Sequence, residues 1–392
     1  MSHIDHLSHG GRTVELARLA NIPEDQLLDY SANLNPLGPP PWLPEAIADG
    51  LRRIHAYPDP ESCAAREAAT ARYGLENDQF LFADGAESLI LALPRAFAVS
   101  SCVIPNPSYS GYIRSAHCSR VPLFRVGLDP SEDYSISGKI FVAKFESALE
   151  TAPQPILTFL GAPNNPVGGK MQEDVLLNLI RRNPHVFFIL DESFAELAGS
   201  YSGLLPLAGA AGYENLIVIR SLTKTWAVPG ARVGFACASA PNLEMLRAQL
   251  PSWPLSSFAE EIARRAFNDR EWPEKAAKLI ADESFSLQKA IESTRKCRVY
   301  ASGANFLLVE VIPTSRHPSP AKELAVQLLS RGIAVRTFTL EEGLDGRFMR
   351  IAVRGREENV RFLEAFHESL GAIICATPEA DWCTPRDLND KE

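Results

Sequence analysis

The sequence predicts an α/β protein with a large domain around a mostly parallel sheet and a second, smaller α+β domain. Three observations carry this. Six short apolar runs have the length and the β-branched or aromatic content of buried strands: "QFLFA" (79–83), "CVIP" (102–105), "PILTFL" (155–160), "VFFILDE" (186–192), "LIVIRS" (216–221) and "VGFACA" (233–238). Helical patterns separate most of them, which is the arrangement of a helix-covered parallel sheet. After "PSWPLSS" (251–257) comes a long helical stretch, 258–295, and then a different order: strand "NFLLVEV" (305–311), helix 320–331, strand "IAVRTF" (333–338), strand "FMRIAV" (348–353) and helix 356–370.

These patterns set the expected organisation. Residues 1–40, rich in turn formers and closing in "NPLGPPP", form an arm that wraps onto the smaller domain. Residues 41–258 form the large domain and 259–375 the small one. The polar, proline-bearing segment 376–392 is an extended tail. A chain of 392 residues suits two domains, and 46% hydrophobic with 22% charged residues provides ample core. The net charge of −9, without basic blocks interleaved with aromatics, argues against nucleic acid or anionic membrane as partner. Seven scattered cysteines, with no CxxC pair and no metal-ligand spacing, read as reduced thiols and predict no metal. No apolar signal segment opens the chain, and no run of about eighteen apolar residues follows, so a cytoplasmic protein is expected.

The polar motifs fall at strand ends, where open α/β sheets bind ligands. "ADGAES" (83–88) follows a strand and opens an apolar helix, so the backbone N–H groups of Gly85, Ala86 and Glu87 can hold an anion; a tight strand-to-helix turn would read the same. "APNNPVG" (162–168) aims amide donors into the strand-end crevice or makes an ordinary Asx turn. "DESF" (191–194) puts Asp191 at the end of an apolar strand, where a carboxylate needs a positive partner or caps a helix. "SLTKTWAVPGAR" (221–232) sets Lys224 among small polar residues just past a strand, with Arg232 eight positions on. Taken together, an anion site, an asparagine, a strand-end aspartate and a lysine on one sheet edge are what pyridoxal phosphate needs. The lysine amine condenses with the aldehyde, the carboxylate keeps the pyridine nitrogen protonated, and the helix start with an arginine takes the phosphate.

The ordered set "YPD" (57–59), "ADGAES", "NPSY" (106–109), "PNNPVG", "DESF", "SLTK" with Arg232, and "RIAVRGREEN" (350–359) resembles the fold type I pyridoxal-phosphate aminotransferase superfamily over about residues 5–370, near the histidinol-phosphate aminotransferases. The resemblance implies an aspartate-aminotransferase-like fold with a mostly parallel seven-stranded sheet. It implies Lys224 as the cofactor-binding catalytic lysine, Asp191 as partner of the pyridine nitrogen, Asn165 as donor to the ring 3′-oxygen and Tyr109 stacked on the ring. Ser221, Thr223 and Arg232, with the amides of Gly85, Ala86 and Glu87, would hold the cofactor phosphate. Tyr57 would reach the neighbouring subunit's cofactor, which implies a homodimer.

Three segments, "HGG" (9–11), "DYSANLNPLG" (29–38) and "RSLTKTWAVPGARVGF" (220–235), are more similar to the threonine-phosphate decarboxylases of cobalamin biosynthesis. Phe194, where most aminotransferases of this group have a tyrosine, points the same way. On this resemblance His9, Gly10, Asn33 and Asn165 lie beside the substrate, Arg350 clamps its carboxylate and Arg336 meets its phosphate. The expected reaction is decarboxylation of O-phosphothreonine or O-phosphoserine to an amino-alcohol phosphate. The alternatives are a histidinol-phosphate-type aminotransferase and, from another class, an inactive aminotransferase-like regulatory domain. The latter calls for a basic DNA-binding segment ahead of the motifs, which here begin at residue 9.

Overall fold

The structure is a computed structural model that describes residues 10–169, 172–199 and 203–375. His9 and the segment 376–392 lie outside the described residues. Thirteen strands occur among them: β1 (Leu28–Asp29), β2 (Phe80–Ala83), β3 (Ser101–Asn106), β4 (Leu123–Gly127), β5 (Ile156–Gly161), β6 (Val186–Asp191), β7 (Leu216–Ser221), β8 (Gly234–Cys237), β9 (Cys297–Val299), β10 (Phe306–Val311), β11 (Ile333–Ala334), β12 (Arg336–Thr337) and β13 (Phe348–Ala352). The chain divides into two compact units. One is Leu37–Asn165 with Gly169–Lys278; the other comprises the described residues of Met1–Pro36, Pro166–Gly168 and Leu279–Glu392.

The first unit is built on a seven-stranded sheet in the order β2-β8-β7-β6-β5-β3-β4. Only β8 runs antiparallel to its neighbours; the other pairings are parallel. Because helices cover the sheet, β5 and β7 are buried along their whole length, which is why they read as unbroken apolar runs. The helix Gly85–Ala96 packs Leu89 and Leu93 into a core with Leu157, Phe159, Ile189 and Ile217. The edge strand β4 has no such signature, since Phe124, Arg125 and Gly127 are exposed. The helical stretch expected over 258–295 is two helices, Ser257–Asn268 and Glu271–Glu292. Asp269 divides them: its Oδ1 accepts from the N–H groups of Glu271 (3.0 Å) and Trp272 (3.1 Å), a side-chain cap that starts the second helix.

The second unit carries an antiparallel sheet in the order β12-β13-β10-β9, with the helices Pro320–Ser330 and Arg356–Cys375. The run "IAVRTF" is not one strand. Its first half, β11, pairs in parallel with β1 of the N-terminal segment, and its second half, β12, joins the antiparallel sheet. Tyr30, which follows β1, is fully buried, stacks on Phe362 at 4.6 Å and donates its hydroxyl to Asn359 at 2.8 Å. Among the described residues no helix is long and apolar enough to cross a membrane, and no cluster of metal-ligating side chains occurs.

Candidate active site

The sequence-predicted residues Asp191, Ser221 and Lys224 follow one another along the carboxyl edge of the large sheet, where neighbouring parallel strands end together. Asp191 closes β6 and Ser221 closes β7. The Asp191 carboxylate is 8% exposed and held at both oxygens. Tyr112 donates its hydroxyl to Oδ2 at 2.8 Å, and Ser193 donates its N–H (3.0 Å) and hydroxyl (2.6 Å) to Oδ1. Burial, with the Asp191 charge adding to it, pushes the Tyr112 phenol well above its usual pKa, so Tyr112 stays a donor. Tyr112 in turn stacks flat on Phe159 (4.9 Å, 2°) and meets Tyr109 edge-on at 5.5 Å. Room for the Tyr109 ring comes from Gly111, where a Cβ would fall 2.3 Å from Tyr109 Cε1. Sequence reasoning found Tyr109 and missed Tyr112 and Ser193. The signal was a second tyrosine three residues on, Tyr112 in the first turn of the helix Ser110–Ser119 that Tyr109 precedes.

Behind this edge lies a buried ion pair that the sequence reading also missed. Glu192 and Arg220 directly adjoin Asp191 and Ser221. Their side chains meet through Arg220 Nε (2.9 Å) and Nη2 (2.7 Å) on Glu192 Oε2, and the N–H of Leu204 donates to Oε1 at 2.6 Å. A planar fork on a buried carboxylate ties the ends of β6 and β7 together.

At the other end of the edge, β2 turns into the helix Gly85–Ala96 through Gly85 at φ +75°, and Asp84 makes no side-chain capping bond there. Arg232, itself at φ +53°, lies over this helix start. A Cβ on Gly85 would come within 2.5 Å of its Nη2, and its Nε is 3.7 Å from Asp84 Oδ1. Glu87 turns its carboxylate to Arg114 at 2.7 Å, which leaves the backbone N–H as its contribution at the helix start. Ser221 Oγ and Thr223 Oγ1 are 2.7 Å apart, and Lys224 is half-buried in the short helix Leu222–Thr225. Helix-start amides, two hydroxyls and a guanidinium suit a phosphate monoester, and the absence of a Cβ at Gly85 lets the Arg232 guanidinium approach the helix start. Asn165 follows β5 and is half-buried; its neighbour Asn164 donates to the Pro107 carbonyl at 3.1 Å. Phe194 is buried. Tyr57 is 79% exposed and stacks on Trp253 at 4.4 Å.

The remaining predicted residues belong to the second unit. Arg350 of β13 donates Nη2 to the Ser31 carbonyl at 2.7 Å and lies over the Phe306 ring at 5.2 Å. Asn33, with its amide oxygen turned to the guanidinium, accepts from Arg350 Nε and Nη1, both at 3.2 Å. Gly10 lies against the same loop: a Cβ there would be 2.3 Å from the Ser31 oxygen, and the next N–H, of Gly11, donates to Ser31 Oγ at 3.0 Å. Arg336 of β12 is 6% exposed and pairs with Glu342, a partner the sequence reading did not foresee. Burial pulls the Arg336 guanidinium below its usual pKa, and the Glu342 carboxylate acts against that pull.

A mostly parallel sheet whose carboxyl edge carries a lysine, an aspartate and an uncapped helix start is the frame of a fold type I, pyridoxal-phosphate-dependent enzyme. The chain belongs to the aminotransferase class I and II family, whose model matches residues 25–366. It is 30% identical to the histidinol-phosphate aminotransferase of Methanothermobacter thermautotrophicus, covering 91% of this chain and 93% of that one. To the threonine-phosphate decarboxylase of Salmonella typhimurium it is 29% identical, covering 94% and 98%. It is also 30% identical, over 91% of its own length, to the adenosylcobalamin biosynthesis bifunctional protein CobDQ of Leptospira interrogans, and it spans 40% of that relative. Among solved structures, the histidinol-phosphate aminotransferase of Clostridium acetobutylicum superposes with a TM-score of 0.76 at 25% identity, covering 88% of this chain and all of that one.

Proposed function

We propose that the chain is a pyridoxal-phosphate-dependent decarboxylase of an O-phosphorylated amino acid, phosphothreonine or phosphoserine, acting in cobalamin biosynthesis. The observation that carries this reading is the register of β12 on β13, which sets Arg336 directly opposite Arg350. Two buried guanidinium groups side by side suit a substrate with two anionic ends. The similarity to a threonine-phosphate decarboxylase and to a cobalamin-biosynthesis protein supports it further.

When bound, the cofactor supplies an electron sink conjugated to the substrate Cα. The chain supplies the rest. Ser221, Thr223, Arg232 and the N–H groups of 85–87 would hold the cofactor phosphate, Tyr109 would cover the ring and Asn165 would donate to the 3′-oxygen. Asp191, fixed by Tyr112 and Ser193, would accept from the pyridine N–H. Arg350 holds the substrate carboxylate in the orientation that Asn33 and Ser31 impose on it, and Arg336 holds the phosphate. As the Cα–carboxylate bond breaks and carbon dioxide leaves, Lys224 delivers the proton that replaces it at Cα. A homodimer completes the proposal. Ile47, Leu51 and Ile54 expose one face around the helix Leu43–Arg52, and the exposed Tyr57–Trp253 stack adds to the apolar surface of the same unit.

The second reading, transamination of histidinol phosphate, is favoured by an equally similar relative. One experiment separates the two: phosphothreonine and phosphoserine are offered with and without a keto acid, and carbon dioxide is measured. Catalytic gas release without keto acid is expected; turnover of histidinol phosphate that requires a keto acid, with no gas, replaces this reading by the second.

A further inference from the structure

Arg336 is engaged before any substrate arrives. Its Nη2 pairs with one oxygen of Glu342, and its Nη1 donates to the Thr337 carbonyl at 2.6 Å. The other Glu342 oxygen accepts from Thr339 N–H and Thr339 Oγ1, both at 3.1 Å. These bonds are part of a reciprocal cap on the turn Leu340–Glu342, which Gly343 ends at φ +86°. The carboxylate is therefore aimed at Arg336 by backbone geometry rather than by a chance rotamer.

We propose that Glu342 is a specificity-determining residue: an internal anion that occupies Arg336 and yields it only to a stronger one. The inference rests on the reading of Arg336 as the substrate phosphate's partner. Two anions then compete for one buried guanidinium. A phosphomonoester near neutral pH brings a charge of about −1.5 to −2 and three acceptor oxygens, so it outcompetes a carboxylate. An amino acid whose side chain ends in a carboxylate offers Arg336 no more than Glu342 already gives, and it must break the existing pair to do so. Glu342 thus selects phosphorylated over dicarboxylic amino acids.

Glu342→Gln tests this, because the amide oxygen can still accept from Thr339 and preserve the turn. Glu341→Gln is the control, removing the same charge from the exposed neighbouring residue. In Glu342→Gln the KM for the phosphorylated substrate should fall about tenfold with kcat little changed, and aspartate and glutamate should become measurable competitive inhibitors; Glu341→Gln should show neither. In an Arg336→Gln background the effect of Glu342→Gln should vanish. An unchanged or raised KM in Glu342→Gln, or the same fall in Glu341→Gln, overturns the proposal. If no phosphorylated amino acid is turned over, the proposed reaction fails, and calorimetry of inorganic phosphate on the holoenzyme still decides this point. Glu342→Gln should bind phosphate about tenfold more tightly than the unmodified protein and Glu341→Gln; equal affinities overturn the assignment.

Discussion

Arg336 and Arg350 are cross-strand register partners, so two guanidinium groups, at 6% and 7% exposure, stand on one face of the antiparallel sheet. Like charges directly opposite each other destabilise a sheet. The protein offsets this locally, with Glu342 on Arg336 and with the Ser31 carbonyl and Asn33 amide oxygen on Arg350. On the proposed reading this cost at two buried positions is kept for binding the two anionic ends of the substrate rather than for stability.

Arg350→Gln should therefore cost about 2 to 5 kcal/mol in kcat/KM for a phosphorylated amino acid. Thermal stability should hold, because the substitution removes a charge from an unfavourable pair. Steady-state kinetics beside a thermal melt checks both. A loss of stability without a kinetic effect would make Arg350 a structural residue.

Lys224 sits in a four-residue helix immediately after β7, on the edge that also carries Ser221. Lys224→Ala should abolish turnover and the visible absorbance of bound cofactor, because the proposed reading makes the lysine both covalent anchor and proton carrier. Circular dichroism should be unchanged. Near-native activity in this variant would remove Lys224 from the mechanism.

Tyr112 tests the support of Asp191. Its raised pKa means that the phenol stays neutral and remains a donor throughout the range in which enzymes work. Burial likewise holds the Tyr109 phenol at about 12. Neither tyrosine should give a limb in the pH–rate profile below about pH 11. Tyr112→Phe removes one hydrogen bond to a charged group, about 1.5 to 3 kcal/mol, and should weaken cofactor binding by roughly ten- to a hundredfold in a fluorescence titration of the apoprotein. An unchanged affinity would make the bond incidental to the site.

The strands carrying these residues were legible because each is buried on both faces and so spelled in continuous apolar residues, as β5 and β7 are. The edge strand β4 was not, since it exposes Phe124 and Arg125 in succession and buries only Val126. Nor was the splitting of "IAVRTF", because the periodicity of a run does not say which sheet each half will join. The "TLEE" pattern at 339–342 does announce a capped turn. That its carboxylate also meets Arg336 depends on how β12 is aimed, which is a property of the fold. Glu192 and Arg220 were hidden for a related reason: each reads as a polar end to an apolar strand, and only the pairing of β6 with β7 brings them together.

Gly10 provides the last test, because the proposed reading assigns Arg350 to the substrate and not to the cofactor, and Gly10 packs on the loop that holds Arg350. A Cβ at Gly10 would fall 2.3 Å from the Ser31 carbonyl oxygen and 2.9 Å from its carbon, contacts with backbone that no rotamer relieves. The loop has little room to yield, since the N–H of Ser31 is bound to Asp29 at 2.8 Å and its hydroxyl to the same oxygen at 2.5 Å. The Ser31 oxygen is also the one that accepts from Arg350. Gly10→Ala should thus disturb Arg350 through its acceptor, raising KM for the phosphorylated substrate by about fivefold or more while cofactor affinity stays constant. Gly371→Ala, where a Cβ meets nothing within 4 Å and the backbone is helical, should leave KM alone and stabilise the fold by about 0.5 to 1 kcal/mol. If Gly10→Ala behaves like Gly371→Ala, the packing of Gly10 on Ser31 plays no part in holding Arg350, and the acceptors Ser31 and Asn33 position it alone.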